Sequence, residues 1–200
     1  MATYQSIRYN VDYGGKAGAI MPLLLFTSDG SDATADFTTK IDSTYDEYLF
    51  IWNSIHGQTD DTHMDFQVNA AGESGFNETI TSCVFACSHD ELDNSATLDF
   101  AGYAQQSQGT GFQRLCQAFD DNDACASGFL RLYNPSNTTF VKHFHSQGAH
   151  MKGPNGAGRG LVQHWFTAGY FNITAAIDEV QFKMSSGEIQ GGTIQMFGVI

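Results

Sequence analysis

The chain is poor in proline (3 of 200 residues), in basic residues (9 Lys and Arg together) and in charge overall, at 16%, where soluble domains average about a quarter. Nine cations against 22 acidic residues leave a net charge of −13. That balance excludes a sequence-independent hold on nucleic acid, which needs clustered Lys and Arg, and disfavours an anionic membrane surface. It favours solubility and suits docking on a basic surface. Long apolar runs are also lacking. The best, Ile20 to Phe26, is interrupted by Pro22 and falls far short of the roughly 20 residues a spanning helix needs. The opening MATYQSIRYN has no basic start followed by an apolar core, so no secretory signal is expected. Synthesis in a cytoplasm would leave the four cysteines reduced.

No stretch keeps a 3.6-residue apolar period for three turns; at most Ile173 to Ile177 forms one helical turn. Catalytic signatures are missing too, with no Gly-x-Ser-x-Gly elbow, no His-Glu-x-x-His and no phosphate-cradling loop before a helix. Asp46-Glu47 and Asp90-Glu91 sit in turns without neighbours that would raise a carboxyl pKa, so a glycosidase pair is not expected. The reading is a non-enzyme without a cofactor.

What is abundant is glycine (21), phenylalanine (16) and tyrosine (8). Strand-like runs recur between turn clusters at spacings of roughly 8–15 residues, as sandwiches and barrels show. Tyr48 to Ile55 is apolar on both faces and predicts a central strand; Met64 to Val68 alternates; Ile80 to Cys87 is another strand. Phe112 to Phe119, Gly128 to Tyr133, Thr139 to His145 and Gln163 to Phe171 follow, with a hairpin over Asn134 to Asn137. Val180, Phe182 and Met184 alternate, Ser185-Ser186-Gly187 and Gly191-Gly192 interrupt, and Ile194, Met196, Gly198 and Ile200 resume, tying the last residues into a sheet. The fold class is all-β: a jelly-roll-like antiparallel β-sandwich over 23–200, preceded by an extended arm and Gly-rich link over 1–22. Ile7, Tyr9, Val11 and Tyr13 share one face of that arm. It reads either as a first strand or as an arm that adds a strand to a neighbour's sheet.

Several constellations bear on chemistry. His143 and His145 share a strand face at a spacing that ligates one metal, with His150 and His164 as further donors if loops fold back. The competing reading points both rings at solvent or an interface. Asp120 to Asp123 and Asp60-Asp61 are oxygen-rich but lack EF-hand spacing, and read as solvated turns. Cys83 and Cys87 lie too far apart along a strand to pair. Cys116 and Cys125 are placed to pair across a hairpin, but buried free thiols are the preferred state. The Gly-rich segment 145–160 reads as a long surface loop. With His150, Lys152, Arg159 and a surface Trp165, and with Tyr103 nearby as a further surface aromatic, it is the candidate ligand- or receptor-binding site.

IDSTYDEYLFIWNSIH (41–56), FNETITS (76–82), GYAQQSQGTGFQ (102–113), GFLRLYNPSNTTFVKHF (128–144) and the run from Phe166 to Ile200 together resemble virion structural proteins of marine, cyanophage-like bacteriophages, described as tail-fibre or particle-surface proteins. The resemblance covers nearly the whole chain and implies a β-sandwich module, often a homo-oligomer, without established catalytic residues. The expectation is a virion protein made in the host cytoplasm and displayed on the particle exterior, as a capsid decoration, knob or head fibre. Its expected partners are further copies of itself, with a trimer favoured, and other virion proteins of the capsid or tail. A tail-appendage tip that binds a host surface glycan is the alternative, and a free carbohydrate-binding lectin the second.

Overall fold

The structure is a computed structural model that describes residues 20–116, 123–155 and 159–200, without the side chains of 153–155 and 159. The arm residues Ile7, Tyr9, Val11 and Tyr13 lie outside the described residues, as do Asp120, Asp121 and Asn122. Among the described residues thirteen strands follow in chain order: β1 (Ile20–Thr27), β2 (Ala35–Phe37), β3 (Glu47–Gly57), β4 (Met64–Ala70), β5 (Ile80–Asp90), β6 (Ala96–Phe100), β7 (Ser107–Gly109), β8 (Gln113–Arg114), β9 (Ala126–Tyr133), β10 (Lys142–Asn155), β11 (Arg159–Phe171), β12 (Ile177–Met184) and β13 (Ile189–Val199). A single 3₁₀ turn, Gly102–Ala104, is the one helical element among the described residues. The expected boundary at 22/23 falls inside β1, so Ile20 to Pro22 belong to the sandwich.

All named pairings are antiparallel and build two sheets, β1-β13-β3-β9-β10-β11-β5-β6, with β7 beside β5, and β2-β12-β4-β8. Setting aside β5–β7 and β10–β11 leaves eight strands. Numbered afresh in chain order, these run 1-8-3-6 in one sheet and 2-7-4-5 in the other. That is the strand order of a jelly roll, two Greek keys folded face to face. The two insertions do not form a domain of their own. They extend the first sheet past β9, so the larger sheet overhangs the smaller one.

Alternation places the core between the sheets. Tyr48, Phe50 and Trp52 of β3, Leu130 and Leu132 of β9, Phe66 and Val68 of β4, Val180 and Phe182 of β12, and Ile194 and Met196 of β13 are all buried. Phe66 is the centre of an aromatic run. Its ring lies edge-on to Phe144 at 5.0 Å and to Phe171 at 6.0 Å, and tilted against Phe182 at 6.2 Å. Edge-to-face pairs of this kind add about 0.5–1.5 kcal/mol each beyond the area buried. Phe144 and Phe171 come from the overhang, so these contacts bind the insertion to the jelly roll. Trp52 lies over the β9–β10 pair because Gly128 and Gly148 are opposite one another there. A Cβ at 128 would strike the Trp52 ring and the backbone of Gln147 and Gly148.

Three local expectations are corrected. Gly191-Gly192 does not break the last strand: β13 runs through it with register shifts, Gly192 taking φ +100° against Ser54 at φ +51°, a bulge that glycine allows. The β9–β10 hairpin has a longer loop than four residues, because Asn137 Oδ1 accepts from the amides of Thr139 and Phe140 and holds them out of the ladder until Lys142. Residues 173–176 form no helical turn; instead the buried Lys142 ammonium donates to the carbonyls of Thr174 (2.7 Å) and Ala175 (2.5 Å).

Candidate functional site

The largest correction concerns 145–160. Its described residues are strand and not loop: Lys142–Asn155 and Arg159–Phe171 are β10 and β11, paired from Lys142↔Phe171 to Asn155↔Arg159. Gly148, Ala149 and the neighbouring polar residues look loop-like, but here they sit in a sheet interior between β9 and β11. His150 and Trp165 therefore face inward. Trp165 is 1% and His150 2% exposed, so neither is the surface residue expected. Lys152 is half-buried beside them and, with burial itself as the larger cause, helps hold the His150 imidazole at a pKa of about 4. The His150 Nε2 lies 3.1 Å from Gln163 Oε1. The Arg159 side chain lies outside the described residues.

His143 and His145 do share the outer face, as alternation requires. The His145 Nδ1 lies 2.6 Å from the Tyr133 hydroxyl, its ring stacks on Tyr133 and meets Phe129 edge-on. Burial, with the neighbouring Arg131 guanidinium, pushes its pKa down against the Glu47 carboxylate. His143 lies against Tyr170 instead. Among the described residues no three His, Cys, Asp or Glu side chains come together as a metal site. All four cysteines are free thiols, but only Cys116 is buried, its pKa raised to about 12 by burial; Cys83 is exposed, and Cys87 and Cys125 are half-buried.

Two features emerge where the large sheet overhangs. On its inner face a cleft of about 360 Å³ opens between β11, β5, β6 and the 3₁₀ turn, lined by Gln163 and Trp165, Ala86 and Ser88, Thr97 and Asp99, and Ala101 and Tyr103. Val84, Ala101, Ala104 and Trp165 form a small second core beneath it. Tyr103 is 66% exposed; its ring meets Trp165 edge-on at 6.2 Å, and the Arg114 guanidinium lies 5.4 Å from the ring centre. Ser88 and Thr97 hydroxyls bond across the strands at 2.7 Å. The Trp165 indole N–H has no acceptor among the described residues. Of these residues the sequence reading singled out only Trp165 and Tyr103. Asp99, Gln163, Ser88 and Thr97 carry no motif, and only the β11-β5-β6 pairing brings them together.

The outer face of the same overhang is apolar and aromatic. Phe85 stacks on Phe166 at 4.5 Å, and His164 on Phe166 at 4.4 Å. On β6, the edge strand of this sheet among the described residues, Leu98 and Phe100 are 71% and 80% exposed. Single exposed apolar residues need no explanation, but a contiguous patch marks an interaction surface, and an unprotected edge strand invites pairing.

Elsewhere, one buried carboxyl stands out. Asp65 on β4 has its pKa raised to about 7, because burial outweighs the nearby Arg114 and Lys183. His63 Nε2 lies 3.4 Å from it, yet burial and Arg114 lower that imidazole to about 4. At neutral pH the contact is one between a neutral ring and a carboxyl group, not an ion pair. No family model, no curated protein and no solved structure matches this chain.

Proposed function

We propose that the chain is a non-enzymatic structural protein of a bacteriophage particle, displayed on the particle exterior as a capsid decoration, knob or head-fibre module. The observation that carries this reading is the jelly-roll strand order, an architecture that viral capsid and lectin domains use, together with the sequence resemblance given above. The exposed apolar outer face and the β6 edge support assembly into a homo-oligomer, a trimer on this reading. Anchoring to other virion proteins falls to the arm bearing Ile7, Tyr9, Val11 and Tyr13, or to an edge strand. The protein is made in the host cytoplasm and carried in the virion.

A second reading, a tail-appendage tip that binds a host surface glycan, is favoured by the aromatic and polar cleft at Tyr103; a free lectin would use the same cleft. Antibody against the protein, imaged on purified virions, separates them. Label on the head is the expected result. Label confined to the tail overturns the capsid placement, and no label on intact particles overturns a virion role. Deleting residues 1–13 is expected to abolish incorporation while the domain stays folded; unchanged incorporation refutes anchoring by the arm.

A further inference from the structure

We infer that the cleft between β11, β5, β6 and the Gly102–Ala104 turn is a binding site for a neutral pyranose sugar. This goes beyond the structural role proposed above and does not depend on where the chain sits in a particle.

The argument starts from the shape. The smaller sheet does not extend to β5 and β6, so among the described residues the inner face of the overhang is covered by the segment around Tyr103. What remains open is about 360 Å³, within the range of roughly 300–1,000 Å³ in which small ligands are held. A packing defect would be lined by apolar side chains. This cleft instead has a polar rim and one broad aromatic wall.

Its chemistry matches a sugar's two kinds of surface. A pyranose presents C–H groups on its ring faces and hydroxyls around its rim. Tyr103 offers the ring for the first. It is two-thirds exposed, yet held by its edge contact to Trp165 and by Arg114, so binding orders little that is not already ordered. For the hydroxyls, Asp99 supplies two acceptor oxygens, and no hydrogen bond or ion pair engages its side chain among the described residues. The Gln163 carbonyl oxygen is occupied by His150, which turns its amide NH₂ to act as donor. Ser88 and Thr97 share one hydrogen bond, leaving a second hydroxyl proton to donate. An acceptor pair, an amide donor and a hydroxyl around an exposed ring is a set suited to adjacent hydroxyls. The Asp99 carboxylate, in a chain of net charge −13, selects against an anionic sugar.

The test uses the full chain and saturation-transfer NMR with three neutral probes, the methyl glycosides of mannose, glucose and galactose, and N-acetylneuraminic acid as the anionic comparison. Transfer to at least one neutral glycoside is expected, with a dissociation constant on the order of 1 mM for a single sugar ring. Asp99→Asn and Tyr103→Ala, both at exposed positions, are expected to weaken it about tenfold or more with unchanged far-UV circular dichroism. The inference is overturned if none of the three gives transfer at concentrations on the order of 50 mM, well above that constant. It is equally overturned if both variants bind like wild type, or if the anionic sugar binds best. Because the assay uses isolated protein, failure here leaves the particle-labelling result untouched, and the reverse.

Discussion

Replacing Phe66 by alanine tests whether the two sheets and the overhang share one core. Phe66 is fully buried, and its ring touches Phe144 of β10, Phe171 of β11 and Phe182 of β12. It thus joins the smaller sheet of the jelly roll to the insertion in the larger one. Burying a phenyl side chain is worth roughly 1.5–3 kcal/mol. A residual cavity of about 80–100 Å³ adds about 2 kcal/mol at 24 cal/mol per Å³. A loss of about 4 kcal/mol is therefore expected, a large fraction of the 5–15 kcal/mol that holds a typical domain together. Urea unfolding followed by both tryptophan fluorescence and far-UV circular dichroism reads it as a lowered midpoint with unchanged slope. The comparison is Phe85→Ala, which removes an exposed ring stacked on Phe166 on the opposite face and should cost well under 1 kcal/mol. Equal losses for the two variants would refute the assignment of inner and outer faces. Two separate transitions in the Phe66 variant would show that the insertion folds apart from the jelly roll.

Three further perturbations follow from particular groups. Raised from 3.8 to about 7, the Asp65 carboxyl is favoured by folding when protonated, so its penalty appears as pH rises from about 4 to 7, reaching roughly 4 kcal/mol. The lowered His63 and His150 act oppositely, losing stability as pH falls from 6.5 to about 4. Asp65→Asn is expected to gain stability at pH 7 and to lose it more steeply on acidification than wild type; parallel urea midpoints for the two between pH 4 and 7 would contradict this. Lys142→Met leaves the carbonyls of Thr174 and Ala175 without their donor, and since both residues are exposed water recovers part of the loss. The expected cost is about 1–2 kcal/mol, with faster hydrogen exchange at Ile177, whose amide donates to Pro135; a more stable variant would refute it. Finally, Leu98→Asp with Phe100→Ser is expected to shift light-scattering mass toward the monomer without changing the unfolding midpoint, and an unchanged oligomer would remove the β6 edge as the contact.

The sequence alone was enough for the fold class and most strand positions. Met64 to Val68 and Val180 to Met184 alternate in sequence, and Tyr48 to Ile55 is apolar on both faces as a central strand must be; neither pattern needs distant residues to be read. Turn residues such as Ser185-Ser186-Gly187 act equally locally. The same local reading failed where a residue's environment comes from elsewhere in the chain. The segment 145–160 is glycine-rich and polar, yet its residues 145–150 are sheet because β9 and β11 supply hydrogen-bond partners on both sides, and β10 continues from there along β11. Trp165 is buried because the Tyr103 turn folds over it. His143 and His145 share one face, since strand period decides that. Their different neighbours, Tyr170 and Tyr133, were set by which strands lie alongside. The cleft was illegible for the same reason: Ser88, Thr97, Asp99 and Gln163 are ordinary polar residues until β11, β5 and β6 pair. Periodicity is a property of consecutive residues and is written in the chain; sheet order is a property of long-range pairing, and only the tertiary structure decided it.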